Sequence, residues 1–167
     1  MENYKKKFTK IYDQHIDKIY RFIFLKVGSA ETAEDLTAQV FTRGWKKFKS
    51  GEKIKNESAY LFQIARTQLA NFYRQEAKYK IVSVSAIDIE DSAHTPEEEQ
   101  KVKGEIKEMQ DLLGELKEQY QDILILRYID DYSISDIALM LNKSEGAVRV
   151  MLHRALGDLR KKIKKEY

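Results

Sequence analysis

The sequence predicts an almost wholly helical chain, and three observations carry that prediction. Apolar residues recur at i, i+3, i+4 and i+7 over most of its length. Residues that start and stop helices fall at the gaps in this periodicity. Alternating β-branched runs are scarce, and 167 residues include one Pro and seven Gly.

Taken in order, Phe8 to Val27 form a first amphipathic helix, with Phe8, Ile11, Tyr12, Ile16, Ile19, Tyr20, Ile23 and Phe24 at helical spacing as core. Gly28 and Ser29 close it, and Ser29 with Glu31 and Glu34 opens a second helix through AEDLTAQVFTRGWKKF. Ala33, Leu36, Val40, Phe41, Trp45 and Phe48 point inward there, and Glu34, Asp35, Gln39 and Arg43 outward. After the polar GEKIKNE loop a third helix begins near Ser58, with a buried stripe of Leu61, Ile64, Ala65, Leu69 and Phe72. Its outer face carries Tyr60, Gln63, Arg66, Thr67, Gln68, Asn71, Tyr73, Arg74 and Lys78. Aromatic and basic side chains together suit single-stranded nucleic acid, because unstacked bases lie on aromatic rings while cations follow the phosphates. The same residues also read as the finish of a three-helix core with solubilising charges.

Past Lys80 the period lapses. The stretch IVSVSAIDIEDSAHTPEEEQ holds the only Pro, and six acidic residues with no Lys or Arg fall between Asp88 and Glu99. Its IVSVS alternation has no second strand to pair with. Residues 77–98 therefore read as a flexible acidic linker between two small helical domains, 1–76 and 99–167. Helix restarts after Thr95 and Pro96, with Ile106, Met109, Leu112, Leu113, Leu116, Tyr120, Ile123, Leu124 and Leu126 as further core.

The stretch from Ser133 to Arg160 has the pattern of a helix-turn-helix. Ile134, Ile137, Ala138 and Leu141 make one face of a first short helix, with Ala138 small enough for close helix approach. Asn142 tolerates a left-handed turn position, Ser144 suits an N-cap, and Glu145 places negative charge in the first turn of the second helix. Burying Ala147, Val148, Met151 and Leu152 leaves Glu145, Arg149, Val150, His153 and Arg154 outside. A recognition helix offers the major groove such a row: Arg bonds guanine bidentately and apolar groups touch the thymine methyl. An ordinary helical hairpin with a solvated face has the same periodicity.

Charge and composition narrow the classes. Lys plus Arg number 30 against 27 Asp plus Glu, so distribution matters more than the total, and Lys143 to Lys165 holds eight basic residues and two acidic ones. Zero Cys excludes disulfides, thiol nucleophiles and thiolate metal sites. No early apolar run has signal-peptide length, and IYRFIFLKV is interrupted by Arg21 and Lys26, so a cytoplasmic protein without membrane insertion is expected. His15, His94 and His153 are scattered and no Gly-rich phosphate loop is present; no metal, cofactor or catalytic activity is expected.

Two halves, each ambiguous alone, occur together in one order. AEDLTAQVFTRGWKKF followed by AYLFQIARTQLANFYR, and then LKEQYQDILILRYIDDYSISDIALMLNKSEGAVRVMLHRALGDLRKKI, resemble the second and fourth domains of the extracytoplasmic-function sigma factors. These are small specificity subunits of bacterial RNA polymerase. The resemblance spans nearly the whole chain except the linker. It implies a non-catalytic subunit that binds core RNA polymerase and directs initiation by recognising −10 and −35 promoter elements, with an anti-sigma factor as a further partner. Asp35, Leu36, Gln39 and Phe41 then fall at the polymerase interface. Arg66, Thr67, Gln68, Asn71, Tyr73 and Arg74 fall at the −10 strand. Arg149, Val150, His153 and Arg154 read the −35 element, while Lys143, Ser144, Arg160, Lys161 and Lys162 hold phosphates. Thr67 stands where the family most often has Asn, Asn142 replaces a turn Gly, and Tyr60 replaces a Trp. A stand-alone helix-turn-helix regulator with an N-terminal sensing or dimerisation bundle is the alternative; it would bind paired half-sites as a dimer.

Overall fold

The computed structural model describes residues 2–82 and 97–166, and every regular element among them is helical. The elements are α1 (Glu2–Val27), α2 (Ala30–Lys49), α3 (Glu57–Val82), α4 (Glu97–Gly114), α5 (Glu118–Leu124), a π-turn (Ile125–Ile129), α6 (Ile134–Leu141) and α7 (Glu145–Glu166). Residues 77–82 belong to α3 and residues 97 and 98 to α4; the rest of the expected linker, with most of the IVSVS run, lies outside the described residues.

Local chemistry sets the ends of the first three helices. Gly28 takes a left-handed φ of 72°, and its N–H closes α1 on the Phe24 carbonyl at 2.9 Å. Ser29 caps α2 by accepting from the Thr32 N–H at 3.3 Å. The cap of α3 is Asn56, whose Oδ1 accepts from the Ala59 N–H at 2.8 Å, so this helix begins one residue before the expected Ser58.

Helices α1, α2 and α3 pack on one another, and α4 to α7 form a second cluster around α5 and α7. Aromatic contacts fill the first bundle: Phe8 meets Trp45 at 5.2 Å, Tyr12 meets Phe41 at 4.8 Å, and Phe22 meets Phe62 edge-on at 4.9 Å. A Cβ on Gly44 would come within 3.1 Å of Leu61, so the bare backbone there lets α2 and α3 approach closely. Phe22 and Phe62 are fully buried although neither lies on the expected stripes. Each helix of the bundle touches at least two neighbours, and a single 3.6-period stripe undercounts such a face.

The two clusters are joined across α1 and α3. Lys26 and Asp122 form an ion pair with side chains 4% and 1% exposed, and Arg66 Nε lies 3.4 Å from the other oxygen of Asp122. Arg21 Nε donates to Asp130 at 3.2 Å, and Lys18 sits 4.1 Å over the Tyr132 ring. Gln63 donates to the Met140 carbonyl at 2.8 Å and Gln110 to the Phe24 carbonyl at 3.1 Å. Between the two acids, the Asp130 N–H reaches back five residues to Ile125 at 2.9 Å, the bond of a π-turn. That widened turn places Asp122 and Asp130 where both meet α1.

Burial pushes the Asp130 carboxyl up to about 6 against the pull of Arg21 and Lys18. A raised folded-state value means a contribution complete below about pH 4, the unfolded value, and lost as pH rises through about 6. His15, lowered by burial, titrates with the opposite effect on stability. The stability difference between wild type and Asp130→Asn isolates the acid: by urea titration it should fall steadily from acid to neutral pH, and a pH-independent difference would refute this account. Phe22→Ala should cost about 3–5 kcal/mol by the same measurement.

Candidate nucleic-acid interface

The hairpin of α6 and α7 is built by three local bonds. Ser133 Oγ accepts from the Asp136 N–H at 3.1 Å and starts α6. Asn142 ends it in the left-handed region at φ 53°, which lets the Lys143 N–H return to the Ala138 carbonyl at 2.9 Å. Ser144 Oγ then accepts from the Ala147 N–H at 3.1 Å and starts α7. The turn is Asn142, Lys143 and Ser144. Val148, Leu152 and Ala155 are buried against the rest of the C-terminal cluster, which fixes the rotation of α7.

That rotation leaves Glu145, Arg149, Val150, His153 and Arg154 exposed, as expected, and Val150 keeps 51% of its surface. Ala147, expected inside, is exposed on the same side, because α6 ends too early to cover the first turn of α7. Arg149 pairs with Glu145 one turn back at 3.5 Å, an exposed contact too weak to compete with a phosphate or base edge. Arg160 and Lys161 are exposed. Lys162 differs from its neighbours: it is part-buried and pairs with Glu115 at 3.6 Å. Gln119 and Tyr120, at the start of α5, line one hollow with Lys143, Val150 and Arg154. Tyr120 is half-buried and packs against the core, as its spacing predicts, and the tertiary fold also brings it, with the α5 N-terminus, beside α7.

The second surface lies on α2 and α3. The six residues assigned to a single strand-binding set do not share one face. Thr67 and Asn71 face the cleft between α2 and α3. Gln68 is 4% exposed, a correction to its expected outer position. With its amide oriented to satisfy both neighbours, Gln68 donates to Gln39 Oε1 at 2.8 Å and accepts from Arg43 Nε at 2.9 Å. Arg66 turns the other way, toward Asp122. The Tyr73 hydroxyl donates to the Lys26 carbonyl at 2.6 Å, and Arg74 is exposed. Asp35 and Gln39 are exposed on α2, whereas Leu36 and Phe41 are 6% and 5% exposed and shape the bundle from inside.

Beside this cleft, Arg43, Lys46 and Lys47 of α2 surround Tyr60 and Thr67 of α3, with Lys47 Nζ 4.9 Å over the Tyr60 ring. This aromatic and cationic hollow follows from neither helix alone; the basic last turn of α2 and the aromatic first turn of α3 together are its signal in the sequence. Among the described residues no group of acidic and His side chains is placed to hold a metal, and no helix is long and apolar enough to cross a membrane.

Replacing Asn142 tests the turn directly. Asn142→Gly should leave the melting temperature near wild type, while Asn142→Val should cost about 1–2 kcal/mol by forcing a β-branched residue into the left-handed region.

Residues 11–79 match the sigma-70 region 2 family, and residues 106–159 match sigma-70 region 4. RNA polymerase sigma factor YlaC of Bacillus subtilis is 30% identical over 158 residues, covering 93% of this chain and 91% of that protein. The ECF RNA polymerase sigma factor BldN of Streptomyces coelicolor is 27% identical over 154 residues; the match covers 91% of this chain and 58% of BldN. In fold the chain is similar to CnrH, solved with the cytosolic domain of CnrY, at a TM-score of 0.73 and 16% identity over 98% of this chain and 91% of CnrH. The sigma factor RpoE of Bartonella quintana, solved with the anti-sigma factor NepR, has a TM-score of 0.65 and 20% identity over 98% of both chains.

Proposed function

The chain belongs to the sigma-70 family of RNA polymerase sigma factors, in its extracytoplasmic-function group, and from that membership we propose how its two surfaces divide the work of promoter recognition. It joins core RNA polymerase and directs initiation: α7 reads the −35 element as duplex, and α2 with α3 captures the opened −10 strand. Region 2 and region 4 lie in one chain in that order, and this single observation carries the reading.

On α7, Arg149, Val150, His153 and Arg154 meet base edges, where one bidentate Arg is worth about 1–3 kcal/mol of discrimination. Lys143, Ser144, Arg160 and Lys161 position the helix on phosphates without reading sequence. Lys162 contributes less there, since Glu115 already partners it. On the N-terminal domain, residues 1–76, Asp35 and Gln39 present the polymerase-facing surface, with Leu36 and Phe41 setting its shape from beneath. Thr67, Asn71 and Arg74, together with Lys47 and Tyr60, receive unstacked bases; Arg66, Gln68 and Tyr73 support them. Stacking on an aromatic ring is worth about 1–3 kcal/mol per base. Catalysis belongs to the polymerase, so the protein acts where transcription occurs, in the cytoplasm. Two proteins of similar fold are solved in complexes, CnrH with the cytosolic domain of CnrY and the sigma factor RpoE with the anti-sigma factor NepR, and an anti-sigma partner is part of this proposal.

Run-off transcription with purified core RNA polymerase tests the reading. The chain should bind core and start transcripts from a cognate promoter; failure to bind core, with tight autonomous duplex binding, would instead favour a free-standing regulator. Arg154→Ala should weaken −35-dependent initiation by about 1–3 kcal/mol and alter the preferred base. Lys161→Ala should weaken binding to all sequences alike and lower the salt slope by about 1. Equal changes in base preference from the two variants would refute the assignment of the groove face.

A further inference from the structure

Thr37 and Gln68 are polar residues buried in the bundle of α1, α2 and α3, 3% and 4% exposed, and they are satisfied differently. Thr37 donates to the Ala33 carbonyl of its own helix at 2.6 Å. Gln68 reaches across to α2 and ties two side chains one turn apart, donating to Gln39 and accepting from Arg43 Nε at 2.9 Å and Nη1 at 3.3 Å. A buried amide contributes only while its polar atoms are paired, and an aliphatic side chain would fill the same space without that condition. What the amide adds is a fixed guanidinium. Two N–H groups on one oxygen set the plane of Arg43, yet a neutral oxygen leaves its positive charge uncompensated, as a carboxylate would not. Lys47, one turn on, shows the contrast: its ammonium meets Glu52 at 3.2 Å. Among the described residues no acid pairs with Arg43, and Asp35, which borders a polar hollow with it, forms no ion pair there.

We propose that Arg43 is a phosphate anchor for the opened −10 strand and that Gln68 is the positioning residue that holds its guanidinium in place. The proposal rests on the reading of α2 and α3 as the strand-capturing surface. Arg43 is common to both hollows of that surface, the aromatic and cationic one that holds Lys47, Tyr60 and Thr67 and the polar one that holds Asn71 further along α3. It is exposed, so its uncompensated charge is open to an anion. A strand whose bases enter these hollows carries its phosphates past the side chain they share. A guanidinium already fixed in plane loses little rotamer freedom on meeting a phosphate oxygen, so the order imposed by Gln68 becomes affinity. Such a contact reads no base and strengthens binding to every sequence alike.

The test uses holoenzyme assembled from the full chain and core RNA polymerase, with a fluorescent oligonucleotide carrying the single-stranded −10 sequence of a promoter that gives run-off transcripts. Arg43→Ala should weaken strand binding about tenfold, the loss of one charge-assisted contact. It should also lower the slope of log affinity against log salt by about 0.7, while affinity for core stays within about twofold. Gln68→Leu should weaken strand binding about fivefold in the wild-type background and less than about twofold beside Arg43→Ala, because the amide acts through that guanidinium. Equal losses in the two backgrounds would overturn the positioning role, since a merely structural amide gives that result. If Gln68→Leu does not fold, the exposed Arg43→Ala variant still decides by its salt slope. An unchanged slope overturns the anchor, and so does an Arg43→Ala chain that loses affinity for core and keeps it for the strand, which would place Arg43 against the polymerase. A wild-type holoenzyme that starts no transcript removes the sigma reading and the anchor with it, whereas transcripts together with an unchanged slope sink the anchor alone.

Discussion

A carboxylate buried in a helical core must be paired, and in this protein that constraint shapes everything around α5. Asp122 is 1% exposed and meets Lys26 and Arg66, each from a different helix of the N-terminal bundle. Removing Lys26 leaves the Asp122 carboxylate with only the part-exposed Arg66 beside it, whereas removing Arg66 leaves the Lys26–Asp122 pair in place, and separating the halves returns all three groups to water. Burial still pushes the Asp122 carboxyl upward despite both cations. The C-terminal cluster is thereby fixed against α1 and α3 by charge, with Met140 as its apolar companion.

Legibility in the sequence followed the range of the cause. The turn between α6 and α7 was readable to the residue, because Asn142 and Ser144 act on backbone atoms within five positions of themselves. The order of helices and the resemblance to a family were readable for the same reason. Gln68 and Ala147 were not: a buried amide between Gln39 and Arg43 depends on where α2 lies, and an exposed Ala on where α6 stops. Met140 and Lys26 were beyond any periodicity, since their partners are more than 75 residues away in the chain.

The two surfaces proposed to meet DNA differ in how they are assembled. The face on α7 comes from one helix whose rotation is set by Val148, Leu152 and Ala155, so its side chains keep their spacing whatever the rest of the chain does. The surface proposed for the −10 strand is composite, with Lys47 from α2 and Tyr60 and Thr67 from α3, held together by the close approach at Gly44. A change that widens the α2–α3 spacing disperses this surface without touching any residue in it.

The π-turn at Ile125–Ile129 has a consequence for inheritance. Asp122 and Asp130 are eight residues apart, about 80° out of register in an ordinary α-helix, and the extra residue that the π-turn absorbs brings them back to about one face. Deleting one codon there leaves seven residues at ordinary pitch and the same alignment, so both acids and the capped hairpin keep their places beside α1. One codon lost at this turn is thus absorbed, whereas the same loss in a helix without the extra residue would rotate everything beyond it by about 100°.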